Sequence, residues 1–188
     1  MKRAIILHGM PSKEGYFNEK SQAQSNKHWL PWLQQQLIVR GILAQTPEMP
    51  EPYEPTYEKW KSVFEQFEIN EDTSLVGHSC GAGFLVRWLS ENKVKVGRVA
   101  LVAPWVDPDH EMKNDFYNFT IDPELARRCE DIKIFYSDDD DKTILESVSQ
   151  LEGAIAGIKT EVLHNLGHLI FADMQTEEFP ELRDFLIK

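Results

Sequence analysis

Gly77-His78-Ser79-Cys80-Gly81 lies between a short expected strand, Thr73 to Val76, and a helical pattern opening at Phe84 to Leu89. A G-x-S-x-G between a strand and a helix puts the serine on a cramped turn, with its hydroxyl raised above the strand ends. Side chains two residues to either side would collide there, which accounts for Gly77 and Gly81. The same turn places the Cys80 N–H at a helix N-terminus, where a developing oxyanion is stabilised. The chemistry implied is attack by the Ser79 hydroxyl on an acyl carbon. The Cys80 thiol is expected to point away, and His78 reads as packing for the turn.

A serine hydroxyl needs a base, usually an imidazole held in one tautomer by a carboxylate. On this kind of elbow the chain order is serine, then acid, then histidine. Of the six histidines, only His110, His164 and His168 follow Ser79. His168, in Asn165-Leu166-Gly167-His168, lies in a loop past the last expected strand, so it is the expected base. His164 sits nearer the strand and reads as structural. The acid is sought where site residues collect, at the carboxyl end of a parallel strand. Ile132 to Tyr136 runs into Ser137 and then Asp138 to Asp141. Asp140 is the first choice and Asp139 the second, with Asp107 a rival beyond the strand ending at Val102. The early segment Ile5-Ile6-Leu7-His8-Gly9-Met10 runs a strand into a tight turn, and the Met10 N–H is the expected second oxyanion donor beside that of Cys80.

The elements that must position these groups follow from hydrophobic periodicity. Strands are expected over Ala4 to Leu7, Ile42 to Thr46, Thr73 to Val76, Val96 to Val102, Ile132 to Tyr136 and Thr160 to Leu163. Helices are expected over His28 to Arg40, Tyr57 to Phe67, from Phe84 onward, Ile144 to Gly157 and Phe179 to Ile187. Met10 to Lys27 is polar and reads as a loop, while Trp105 to Glu130 shows no clear period. Strands alternating with helices predict an α/β fold of about six mostly parallel strands with helices on both faces, in one domain spanning residues 1–188.

The chain has 188 residues and a net charge of −11. An acidic surface repels phosphate backbones, so nucleic acid and anionic membranes are poor partner candidates. No run approaches the roughly 18 apolar residues of a membrane span. Cys80 and Cys129 form no C-x-x-C and imply no disulfide framework, and the N-terminal apolar run is too short for a signal peptide. A cytoplasmic protein is expected.

Leu7-His8-Gly9, His28-Trp29-Leu30-Pro31-Trp32-Leu33, the Ser79 elbow, Leu101-Val102-Ala103-Pro104, Ser137-Asp138-Asp139-Asp140 and Gly167-His168 span nearly the whole chain. Their combination resembles the small serine hydrolases of the YdeN type, related to retinoblastoma-binding protein nine. The resemblance implies a compact α/β-hydrolase core with little or no cap. It also implies esterase-like activity on small acyl substrates, and a serine, aspartate and histidine at Ser79, Asp140 and His168. Where the family has a proline-containing turn after the acid, this chain has Asp141-Lys142-Thr143. The expectation is a carboxylesterase with a small-molecule acyl substrate and neither cofactor nor metal. Trp105, Phe116, Tyr117 and Phe171 are candidates to line its pocket. The other readings are a thioesterase or peptidase on the same core, or a non-catalytic module binding a protein partner through Met10 to Lys27.

Overall fold

The computed structural model describes residues 1–188. Its centre is a six-stranded sheet in the order β2-β1-β3-β4-β5-β6, every pairing parallel. The strands are β1 (Arg3–Leu7), β2 (Leu43–Gln45), β3 (Thr73–His78), β4 (Val96–Val102), β5 (Cys129–Ser137) and β6 (Lys159–Leu163). Alternate residues of the central strands feed two separate cores. Ile5, Leu7, Leu75, Leu101 and Ile134 face one core, which is closed by α3 (Tyr57–Phe64), α4 (Cys80–Asn92) and α5 (Lys142–Ala154). Ala4, Ile6, Val76, Val102 and Phe135 face the other, covered by α2 (Leu30–Ile38) and α7 (Pro180–Ile187). Burial on both faces explains the continuous apolar runs in these strands.

Because the strands run in one direction, their carboxyl ends share an edge. Leu7 pairs with Gly77, His78 with Val102, Val102 with Phe135, and Ser137 with Leu163. His8, Ser79, Asp138 and His164, each next after its strand, therefore emerge on that one edge.

The structure departs from the expected elements where local chemistry outweighs periodicity. Met10 to Lys27 is not all loop. It carries the short α1 (Lys13–Tyr16), capped by Ser12 accepting from the Gly15 N–H at 3.1 Å, and a 3₁₀ turn at Gln24–Asn26. The helix expected from His28 begins at Leu30, because His28 adopts φ 58°. Helix α4 begins at Cys80 rather than Phe84, so the elbow runs into it without a break. A further short helix, α6 (Phe171–Met174), follows the His168 loop. In the aperiodic stretch Trp105 to Glu130, Phe116 drops into the core against Trp60, 5.3 Å between ring centres, and the Arg87 guanidinium donates to the Phe116 carbonyl at 3.0 Å.

Candidate active site

Ser79 is held at φ 53°, ψ −118°, a region that disfavours side chains. Its surroundings fix it there. The Ser79 N–H donates to the Val102 carbonyl at 2.8 Å. Its own carbonyl accepts from Ala82 at 3.0 Å and from Gly83 and Trp105 at 3.2 Å. The glycines allow the chain to pack this closely. A Cβ on Gly81 would lie 2.5 Å from the His8 carbonyl oxygen, and one on Gly77 2.6 Å from the Ala82 backbone. The Cys80 thiol is fully buried, and burial pushes its pKa up to about 12, so it stays protonated.

The loop bearing His168 is pinned at nearly every residue. Ser137 Oγ accepts from the Leu166 N–H at 2.9 Å, Asp139 from Gly167 at 3.0 Å, and Asp173 from His168 at 2.9 Å. The Trp29 indole donates to the Leu169 carbonyl at 2.9 Å, tying the foot of α2 to the same loop. His78, beside the serine, contacts the His168 carbonyl through Nε2 at 3.0 Å, and the two rings lie 4.9 Å apart. A carbonyl only accepts, so Nε2 carries the proton. Burial first, and then the neighbouring His168, holds His78 well below the ordinary histidine pKa, so it is neutral.

The four consecutive aspartates have four different surroundings. Asp138 pairs with the exposed His164 at 2.6 Å. Asp139 accepts from Ser137 Oγ at 2.6 Å and from the Gly167 N–H. Asp141 caps α5, accepting from the Thr143 N–H at 2.9 Å. Hydrogen bonds hold these three below the usual carboxylate range. Asp140 is the buried one, its side chain 1% exposed, with Oδ1 and Oδ2 at 3.1 and 3.0 Å from His168 Nδ1. The rival Asp107 is committed elsewhere, accepting from the Glu111 and Met112 N–H groups at 2.8 and 3.0 Å.

On the opposite side, the β1 loop presents the Gly9–Met10 peptide. A Cβ on Gly9 would lie 3.1 Å from the Ser79 Cβ, so this peptide runs directly past the serine. His8 aligns it. Its Nε2 accepts from the Met49 N–H at 2.9 Å, so its proton is on Nδ1, which donates to the Gly9 carbonyl at 2.8 Å. In a trans peptide the next N–H points away from that carbonyl. The Met10 N–H has no protein acceptor, and the Cys80 N–H, first in α4, has no carbonyl one turn back. The aligning role of His8 could have been suspected from His-Gly at the end of β1, although its tautomer depends on Met49, far along the chain.

Two pockets meet at Ser79, His168 and Met10. One, of about 260 Å³, runs past Trp105, Thr143 and Ile144. The other, of about 290 Å³, is walled by the β1 loop, Ser12, Gln24, Lys27 and His28. Of the aromatic candidates, Trp105 reaches a pocket and Phe116 is core. Tyr117 is turned toward the elbow, its hydroxyl 3.3 Å from the Cys80 carbonyl, and Phe171 lies outside both pockets. Lys27 and His28 were not among the expected site residues. No group of three or more His, Cys, Asp or Glu side chains is arranged to hold a metal ion.

Residues 17–188 match the family model described as Serine hydrolase. The chain belongs to the serine hydrolase family. This serine hydrolase is 27% identical over 166 residues to the YdeN protein of Bacillus subtilis (strain 168), covering 85% of this chain and 87% of that one. The crystal structure of the B. subtilis ydeN gene product matches with a TM-score of 0.77 at 23% identity, covering 98% of this chain and 96% of that one. Est1E from Butyrivibrio proteoclasticus matches with a TM-score of 0.61 at 14% identity, covering 97% and 88%. The parallel sheet with its elbow is thus the α/β-hydrolase fold, and the resemblance to YdeN-type proteins holds across the chain.

Proposed function

We propose that this serine hydrolase cleaves small carboxylic esters, with Ser79 as nucleophile, His168 as base and Asp140 as the carboxylate behind the ring. The observation that carries this reading is the contact of His168 Nδ1 with both oxygens of a buried Asp140, on the sheet edge that bears the Ser79 elbow. With Nδ1–H donated to Asp140, the Nε2 lone pair is free to take a proton. Ser79 Oγ bonds to the ester carbonyl carbon as its proton passes to Nε2. The Met10 and Cys80 N–H groups receive the charge on the carbonyl oxygen. Collapse breaks the bond to the alcohol, which leaves with the proton from His168. Water then repeats the sequence and releases the acid. No step needs a cofactor. Cys80 and Cys129 are free thiols, consistent with a cytoplasmic location.

A fluorophosphonate probe tests the nucleophile. Folded wild-type protein is expected to be labelled at Ser79, the Ser79→Ala variant not at all, and hydrolysis of p-nitrophenyl acetate to fall by at least about 10⁴-fold in that variant. Absence of labelling on the folded protein would overturn the reading in favour of a non-catalytic binding module. Faster turnover of acyl-CoA or aminoacyl amides than of esters would move the substrate class to thioester or amide.

A further inference from the structure

The larger pocket at Ser79 is charged differently from the rest of the molecule. The chain carries 31 acidic side chains against 20 Lys and Arg, yet no Asp or Glu lines this pocket. Its one formal charge is Lys27, half-buried, with no carboxylate within ion-pair distance. The ammonium is close enough to depress the titration of both His8 and His28.

The nearby carboxylates are already engaged. Glu48 accepts from the Gln24 and Ser25 N–H groups at 3.2 and 2.8 Å, and Asp173 from the His168 N–H at 2.9 Å. Next to Lys27, His28 Nδ1 accepts from the Phe171 N–H at 3.2 Å, which leaves its proton on Nε2. That Nε2–H has no protein acceptor, on a ring that lines the pocket. Burial first, and then Lys27, lowers His28 to about 4, so near neutral pH it is a neutral donor beside the Lys27 ammonium. A strongly hydrated ammonium and a spare N–H beside a small cavity complement an anionic oxygen group.

We propose that this pocket holds the carboxylate of an acidic ester, with Lys27 as its counter-ion and His28 Nε2–H as its hydrogen-bond donor. The inference rests on the ester-hydrolase reading and narrows its substrate class. At about 290 Å³ the cavity is at the small end of ligand sites, which suits a short dicarboxylic half-ester or an ester of a small hydroxy acid.

Matched substrate pairs at fixed ionic strength test it. p-Nitrophenyl butyrate against p-nitrophenyl hydrogen glutarate puts the charge on the acyl side. Phenyl acetate against 4-acetoxybenzoate puts it on the alcohol side. In at least one pair, the charged-to-neutral ratio of kcat/KM is expected to fall about tenfold in Lys27→Met, and further in Lys27→Glu. Ratios unmoved in both pairs would overturn the proposal. Calorimetric binding of monomethyl glutarate to Ser79→Ala, against Ser79→Ala with Lys27→Met, reads the pocket without turnover. If that binding does not depend on Lys27 while fluorophosphonate labelling succeeds, the pocket assignment alone fails. If labelling fails while Lys27-dependent binding remains, the ester-hydrolase reading alone fails.

Discussion

The two sides of the Ser79 site are built on different principles. On one side, β3 and α4 form a buried unit in which every residue from Cys80 to Ser90 is out of solvent and glycines let backbones touch. On the other, the wall from Pro11 to His28 is a short capped helix, a 3₁₀ turn and polar connections, mostly exposed, with Phe17 60% exposed at its tip. Labour is divided between the two sides. The groups that must not move are held by the sheet and its cores. The groups proposed to meet the distal part of a ligand sit on a thinly packed segment that can change without unfolding the protein.

The largest expected effect follows from altering the buried carboxylate. Asp140→Asn keeps the shape but not the charge, and is expected to lower kcat for p-nitrophenyl acetate by about 10⁴-fold with little change in unfolding midpoint. A loss below tenfold would separate Asp140 from the chemistry. Next in size is a paired stability measurement. Gly81→Ala drives a methyl toward the His8 carbonyl and is expected to cost about 3 kcal/mol in urea unfolding. Phe17→Ser on the exposed wall is expected to cost about 0.5 kcal/mol or less. Equal losses would erase the distinction between the two sides.

The acid response is graded. His28 titrates at about 4 when folded and near 6.5 when free, and burial also lowers His8 and His78. Between those values the unfolded chain holds protons that the folded one does not, so stability falls as pH drops from about 6.5 toward 4. Each neutral histidine contributes at most about 1.4 kcal/mol per pH unit. Urea midpoints at pH 7, 6 and 5 check this, and His28→Gln is expected to flatten the curve.

Much of this architecture is legible in the residues. The strands read out because both faces of a parallel sheet are buried, leaving uninterrupted apolar runs such as Ala4 to Leu7. The elbow reads out because its sterics demand glycine at fixed offsets from Ser79. What does not read out depends on contacts between distant parts of the chain. Asp138 to Asp141 are identical in type, and only His164, Ser137, Thr143 and His168 give each its own environment. From Trp105 to Asp122 the chain lacks a period because it follows the surface of α4, meeting it at Phe116, Tyr117 and Asp122, before β5 begins at Cys129. Lys27 looks like an ordinary solvated cation in a polar stretch until the turn before α2 brings it to the wall of the pocket that Ser79 also lines.

From β3 to β6, spatial order in the sheet repeats chain order, and the hydrogen bond from His78 to the His168 carbonyl spans 90 positions. A polypeptide leaving the ribosome therefore lays down the serine early and can add each later strand to a free edge. The imidazole arrives only after a further interval of roughly 5–20 s at ordinary elongation rates. On the proposed mechanism, a translation product that stops before β6 has the Ser79 hydroxyl without the His168 ring to take its proton, and such incomplete copies are expected to be inert.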